Sequence, residues 1–118
     1  MEINSLAAKI CEFLDTKLAE DITVLDVGGL TIVADRFVIA TARNSNHVKT
    51  LAEGLEEKLS EEGIEPLRTE GIREGRWAVL DYGAIICHIF NDETRMMYCL
   101  EKLWGKDDNV YRYSKSEK

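Results

Sequence analysis

The histidines and cysteines have the widest chemical range of any side chains in this 118-residue sequence. His47 and His88 lie far apart, and the three cysteines, Cys11, Cys87 and Cys99, show no CxxC spacing. Zinc sites and disulfide frameworks in small domains use regularly spaced ligands, so we expect neither. Alternation along a strand places Cys87 and His88 on opposite faces, which disfavours a Cys/His dyad. Each histidine is interpreted as a structural residue or as part of a contact surface.

Two further features could support catalysis or nucleotide binding. Asp81 is a candidate carboxylate base, but it directly precedes Tyr82-Gly83, and an aspartate before such a loop commonly accepts hydrogen bonds from local backbone N–H groups. The structural role is therefore favoured. Gly28-Gly29 follows a predicted strand, yet no GxGxxG or P-loop pattern completes it. We expect no catalytic residue, no metal and no cofactor.

The composition describes one acidic domain. Hydrophobic residues make up 45% of the chain, and the formal net charge is -7 with a pI near 4.8. Because polyanion binding requires clustered Lys and Arg, we expect no direct nucleic-acid recognition, whereas basic proteins are favourable partners. No apolar run approaches the roughly 20 residues that span a bilayer, and the N-terminal segment does not resemble a signal peptide. The unpaired cysteines favour a reduced, cytoplasmic compartment.

Two amphipathic helices are predicted in the first half of the chain. Apolar residues recur every four positions up to Leu18 and predict a helix over residues 4–20. A second apolar stripe ends at Leu59, with Ser45 as the candidate N-cap. Gly63 follows it and suits a left-handed C-terminal cap.

The stretch from residue 75 to residue 104 holds both tryptophans and most of the distinctive aromatic residues. Its runs RWAVLD and AIICHIF, joined by Tyr82-Gly83, predict a β-hairpin. With these two residues as the loop, Trp77 falls opposite His88 on one face of the hairpin.

A last helix is predicted after the hairpin. Asn91 and Asp92 are its cap candidates, and its apolar pattern continues until Gly105. Residues 106–118 are predicted to form a polar tail, from which Val110 and Tyr111 could dock onto the domain.

Further strands complete the predicted fold. β-Branched runs predict strands at residues 22–27 and 37–41, and Pro66 opens a short strand at a sheet edge, since proline cannot donate a ladder hydrogen bond. The order α-β-β-α-β-β-β-α predicts a single α/β domain over residues 1–105, with a mixed five-stranded sheet flanked by helices.

The aromatic residues near the C-terminus have two interpretations. Large aromatic side chains pack in cores by default, but Trp, Tyr and Arg also dominate the energetics of protein interfaces. The cluster comprises Trp77, Tyr82, His88, Arg95, Tyr98 and Trp104. The sequence leaves core and interface equally open for this set.

Several short motifs resemble those of a known family. They are GRW at 75–77, DYG at 81–83, HIF at 88–90, Arg95, Tyr98 and LEKLW at 100–104, preceded by AD at 34–35, FVIAT at 37–41, Ser45 and His47. This combination, spread from about residue 6 to residue 105, is similar to the ribosomal silencing factor family, also called the Iojap-like family.

The resemblance implies a fold related to nucleotidyltransferases but without their catalytic motif. It also implies a protein that binds the large ribosomal subunit through ribosomal protein 14, blocks joining of the small subunit and represses translation when nutrients are scarce. The acidic charge agrees with a basic ribosomal partner. The expected contact residues are Trp77, Asp81, His88, Arg95, Tyr98 and Glu101.

Two alternatives come from other functional classes. One is a small nucleotide-handling enzyme of the same fold, and the other is an acidic adaptor, including a homodimer formed through an exposed sheet edge. The sequence also departs from the family pattern. Ala84 and Cys99 stand where the family often has acids, so salt bridges from these positions to a basic partner are not expected.

Overall fold

The computed structural model describes residues 3–98, 100–105 and 109–113. In chain order, the elements are α1 (Ile3–Thr16), β1 (Glu20–Asp26), β2 (Arg36–Ala42), α2 (Ser45–Ser60), β3 (Arg68–Glu70), β4 (Trp77–Asp81), β5 (Ile85–Asn91), α3 (Asp92–Tyr98), α4 (Leu100–Trp104) and β6 (Val110–Arg112). The predicted α/β class is confirmed.

The strands form one mixed sheet in the order β3-β4-β5-β2-β1-β6. β2 and β5 run parallel at its centre, and the other neighbouring strands are antiparallel. The mixed character of the sheet is therefore confirmed, and β3, the strand after Pro66, lies at an edge as predicted.

The sheet has six strands rather than the predicted five. The additional strand, β6, comes from the segment predicted to be a polar tail, where Val110 packs against buried residues of the sheet. Asn109 secures this segment to β1: its backbone carbonyl accepts from Asp26 N at 2.9 Å, and its side-chain amide donates to Asp26 O at 2.9 Å. Backbone pairing with β1 completes this short edge strand, and a three-residue strand produces no periodic sequence signal.

The two faces of the sheet are covered differently. On the first face, α1 and α2 bury a large apolar cluster that includes Leu14, Leu55 and Ile89, each fully buried. The second face holds a smaller cluster around Phe37 and Phe90, in which Trp77 and Val79 are only partly buried. The second face is thus the one that leaves large side chains accessible.

Both long helices end in the same Schellman arrangement. At α1, Ala19 N donates to Leu14 O at 3.0 Å, and at α2, Ile64 N donates to Leu59 O at 2.9 Å. The left-handed residue is Gly63 at α2, as predicted, but it is Leu18 at α1, with a φ of 69°.

The predicted extent of the first helix was therefore wrong. α1 ends at Thr16, and Leu18 is 58% exposed instead of continuing the buried stripe. The N-cap of α2 was also misassigned, since Asn44 rather than Ser45 provides it, with its side chain accepting from His47 N at 2.8 Å. Asn is as good a cap as Ser, so propensity alone does not choose between adjacent candidates.

The β4–β5 hairpin forms, but its register differs from the prediction. Tyr82 N donates to Ile85 O at 2.9 Å, so the two loop residues are Gly83 and Ala84. Trp77 consequently pairs with Phe90, and Val79 pairs with His88.

The error follows from the conformation of the turn. Gly83 has a φ of 86°, which makes it the first loop residue of a tight turn. Moving the loop by one residue changes the pairing by two, so every side chain keeps its predicted face. Trp77 and His88 therefore share a face as diagonal neighbours, and Cys87 lies on the opposite face as predicted.

The last helical region begins where it was predicted. The Asn91 side chain accepts from Thr94 N at 2.9 Å, which caps α3. Two helical segments, α3 and α4, occupy the region of the single predicted helix, and Cys99 lies outside the described residues.

Candidate partner-binding site

An apolar groove of about 390 Å³ lies on the second face of the sheet, where β4 and β5 are only partly covered. Its walls come from β2, β3, β4, β5 and the loop before β2. The lining residues are Val33, Phe37, Arg68, Glu70, Gly71, Trp77, Val79, Ile86 and His88.

The centre of the groove is a hydrogen bond between two ring side chains. Trp77 Nε1 donates to His88 Nδ1 at 3.1 Å. Because indole N–H can only donate, Nδ1 must carry a lone pair, and the proton of the neutral imidazole therefore sits on Nε2. Nε2 is buried and has no hydrogen-bond partner in the described part of the chain.

Burial and aromatic packing keep His88 uncharged. Its side chain is 8% exposed, and desolvation lowers its pKa from 6.5 to about 4. Phe37 meets its ring edge to face at 4.9 Å, and Phe90 packs against Trp77 at a ring-centroid distance of 4.9 Å. These contacts fix the orientation of both members of the Trp77–His88 pair.

Trp77 also lines a second depression, of about 390 Å³. This depression is more polar than the groove. It is lined by Ser45, Arg76, Trp77, Asn91, Glu93, Thr94 and Met97. Trp77 thus borders both an apolar recess and a more polar one, which is a suitable position for an interface anchor.

Two glycines allow close backbone contacts in the segment before Trp77, one with β4 and one with the start of α2. A Cβ on Gly71 would lie 2.0 Å from the Trp77 carbonyl oxygen, and a Cβ on Gly75 would lie 2.8 Å from Ser45 O. Both residues also have left-handed φ angles, of 75° and 74° respectively. The position of Trp77 therefore depends on the absence of side chains at these two residues.

Asp81 has the structural role that turn chemistry predicted. Its Oδ1 accepts from Gly83 N at 2.8 Å, and its Oδ2 lies 3.3 Å from Arg68 Nε. The carboxylate is thus engaged at the end of the hairpin, apart from the Trp77–His88 pair.

Arg95 is buried, with 8% of its surface exposed. Its Nη1 donates to Asp21 O at 2.6 Å and to Thr41 Oγ1 at 2.8 Å, while Nη2 donates to Thr23 Oγ1 at 3.1 Å. Asp21 has a φ of 47° beside an irregularity in the β1–β2 pairing. We therefore interpret Arg95 as a residue that positions α3 against the sheet, rather than as the surface contact that the sequence resemblance implied.

The remaining expected contact residues lie at the C-terminal helices. Tyr98 is the last residue of α3, and Glu101 lies in α4, but their side chains fall outside the described part of the structure. The structure brings together Trp77 and His88 and places Asp81 and Arg95 elsewhere.

The exposed apolar residues of the loop before β2 were not predicted from the sequence. Ile32 is fully exposed, and Val33, which lines the groove, is 61% exposed. The signal was present as an apolar run, LTIV, directly after Gly28-Gly29. Apolar residues in a loop have no alternation or helical period, so they were not recognised as exposed.

His47 and the described cysteines have structural roles. His47 Nδ1 accepts from Arg43 N at 2.9 Å, and its Nε2 donates to Lys17 O at 2.9 Å, which links the start of α2 to the end of α1. Cys11 and Cys87 are buried free thiols, and burial raises the pKa of both. Within residues 3–98, 100–105 and 109–113, no three His, Cys, Asp or Glu side chains are grouped to bind a metal.

A depression of about 550 Å³ lies elsewhere, along α1 beside Lys58 of α2. Its lining includes Lys9, which pairs with Glu62, and Lys17, which lies 5.9 Å from the centre of the Phe13 ring. These side chains already have local partners, and solvated lysines define no particular ligand. The groove beside Trp77 is the better candidate despite its smaller volume.

Comparisons with known proteins agree with the architecture. Residues 1–118 match the family model described as "Ribosomal silencing factor during starvation". The Bacillus subtilis ribosomal silencing factor RsfS is 39% identical over 103 residues, covering 87% of this chain and 85% of that protein. Its counterpart from Halalkalibacterium halodurans is 37% identical over 97 residues, covering 82% and 83%. A crystal structure of a Chromobacterium violaceum protein, 30% identical, superposes with a TM-score of 0.86 over 99% of this chain and 98% of that chain.

The fold and the groove define a small α/β domain whose most distinctive surface is an aromatic recess on a partly open sheet. The chain belongs to the ribosomal silencing factor family, which confirms the resemblance found in the sequence. No helix among the described residues is long and apolar enough to cross a membrane.

Substitution of Gly71 tests the local support of Trp77. Gly71→Ala should lower the free energy of unfolding by more than about 3 kcal/mol, because it combines a left-handed φ with a backbone collision. Gly63→Ala has the same type of φ but open space around its Cβ and should cost about 1 kcal/mol. Gly29→Ala has neither problem and should stay within about 0.5 kcal/mol. Urea denaturation measures the free energy of unfolding of all three variants. Equal losses for Gly63→Ala and Gly71→Ala would show that the backbone contact at Gly71 adds no cost.

The buried His88 predicts a specific pH dependence of stability. Its folded-state pKa of about 4 lies below the unfolded value of 6.5, so the unfolded chain binds a proton first as the pH falls. The stability of the wild type relative to His88→Phe should therefore be highest above pH 6.5. It should fall by about 3 kcal/mol as the pH approaches 4, and level off below that. Denaturation of both proteins between pH 3.5 and 7.5 measures this difference, and a constant difference would show that His88 is not buried in neutral form.

Proposed function

We propose that this protein binds the large ribosomal subunit through ribosomal protein 14 and prevents the small subunit from joining. It thereby represses translation under nutrient limitation. The observation that carries the proposal is the partly exposed groove beside Trp77, in a chain that belongs to the ribosomal silencing factor family. The proposed partner assigns the protein to the cytoplasm.

The groove has the physical character of a protein-binding surface. Its lining is largely aromatic and aliphatic, includes the exposed Val33, and also contains the ion-paired Arg68 and Glu70. Interfaces commonly combine an apolar centre with a polar rim. Exposed apolar surface of this kind is a marker of an interaction site.

Charge supports a basic protein as the partner. The chain has a formal net charge of -7, which accelerates association with a positively charged surface. The same charge disfavours direct binding to RNA phosphates, so recognition of the subunit is assigned to a ribosomal protein rather than to ribosomal RNA.

The proposed mechanism requires no chemical step. A bound domain of this size excludes another macromolecule from the surface it covers, and the titratable groups described here serve turns, ion pairs or the core. We therefore propose a non-enzymatic protein without a cofactor. The nucleotide-handling alternative predicts binding of a nucleotide with magnesium, which the silencing mechanism does not use.

The contact set is revised by the geometry. Trp77 and the groove around His88 form the proposed centre. Asp81 and Arg95 support the hairpin and α3 respectively, and Tyr98 and Glu101 remain proposed contacts at the C-terminal helices.

Substitution of Trp77 tests the proposal. Trp77→Ala should weaken binding to isolated large subunits by about 30-fold, equivalent to about 2 kcal/mol, because it removes an interface anchor. Leu18→Ala removes a side chain that is 58% exposed outside the groove and should leave binding unchanged. Equilibrium cosedimentation gives the affinities, and a subunit-joining assay with the same proteins should show a parallel loss of inhibition by Trp77→Ala.

Two results would count against the proposal. Absence of both binding and inhibition by micromolar wild-type protein would remove the function itself. Unchanged binding by folded Trp77→Ala, together with a loss of stability, would assign Trp77 to the core.

A further inference from the structure

The apolar groove contains one buried polar group without a partner among the described residues. His88 is more than nine-tenths buried, and its Nε2 forms no hydrogen bond with this part of the chain. The Trp77 N–H occupies Nδ1, so Nε2 is protonated and is a donor. A buried donor without an acceptor is unfavourable and calls for an explanation.

We propose that His88 Nε2–H is a recognition donor for the bound partner, which inserts a neutral oxygen acceptor into the groove. This inference rests on the proposed function and concerns how the same site selects its partner. The acceptor is a backbone carbonyl or a hydroxyl oxygen, placed next to an aliphatic group on an exposed segment of a basic protein.

The surroundings of His88 define this chemistry. Phe37, Trp77, Val79 and Ile86 offer apolar contacts around the donor, so the entering group must be mainly apolar. A carboxylate would leave water for an apolar recess and meet the acidic charge of the chain, both of which are unfavourable. A neutral oxygen avoids both costs.

Access to the donor is through the exposed side of the groove. Val33 is 61% exposed at the rim, and Trp77 is only partly buried. Because Nε2 itself is buried, the proposal requires one of these side chains to move when the partner binds. The hydrogen bond from Trp77 keeps the imidazole in the tautomer that donates, so Trp77 both anchors the partner and orients the donor.

A structural alternative is available within the molecule. The rings of Phe37 and His88 meet edge to face at 4.9 Å, a geometry in which a ring N–H can approach an aromatic face. If that contact satisfies Nε2–H, His88 stabilises the fold and has no part in selecting the partner. The two roles predict different combinations of stability and affinity.

The experiment compares His88→Phe with His88→Gln in the full chain. Phenylalanine retains a planar ring but has no donor, whereas glutamine can accept from Trp77 and also donate an N–H. Binding to isolated large subunits is measured by equilibrium cosedimentation, and unfolding is measured with urea. His88→Leu provides the same test if His88→Phe does not fold.

We expect His88→Phe to remain folded, with a urea midpoint lowered by the loss of the acceptor for Trp77 Nε1–H, and to bind at least 10-fold more weakly. His88→Gln should bind within about 3-fold of the wild type. Wild-type affinity in His88→Phe would overturn the inference, as would an equal loss of affinity in both variants. Failure of the wild type itself to bind would instead reject the proposed function.

Discussion

The constraint on which the site depends is the burial of β5 on both faces of the sheet. Every residue from Ile85 to Phe90 is buried, so the one histidine in this strand must also lie in the interior. α1 and α2 cover the first face, where Cys87 and Ile89 lie. On the second face, no described helix forms a comparable layer over His88, and the indole of Trp77 takes that place, packing near the imidazole and donating a hydrogen bond to it.

The position of Trp77 at the surface depends on the backbone conformation around β4. A Cβ at position 71 would collide with the Trp77 carbonyl oxygen, so the observed path of the segment before β4 requires glycine there. The turn at Gly83 then sets the register that makes Trp77 and His88 diagonal neighbours. The Trp77 side chain packs near His88 and is itself partly exposed. The residue that completes the core is therefore also accessible to a partner.

Side-chain faces could be predicted from the sequence, whereas register and burial in loops could not. Strand alternation placed Trp77 and His88 together and Cys87 on the other side, because the period of two is independent of the exact pairing. The pairing itself depends on which residue of the Tyr82-Gly83-Ala84 segment takes the left-handed conformation. Leu18 continued a helical pattern in the sequence, but its backbone terminates the helix.

The roles of the site residues could be predicted from the sequence only where their partners lie close by in the chain. Asp81 at a turn could be interpreted from its neighbours. The burial of Arg95 could not, because its acceptors on β1 and β2 are more than 50 residues away in the chain. The resemblance to the family therefore led us to expect Arg95 at a contact surface, whereas its contacts make it an internal support for α3.

The most direct measurement of the central claim is the structure of this protein bound to isolated large ribosomal subunits, determined by electron cryomicroscopy. We predict that the groove beside Trp77 faces ribosomal protein 14. The bound domain should overlap the surface that the small subunit occupies. Attachment through the outer surface of α1 and α2, with the groove facing solvent, would contradict it.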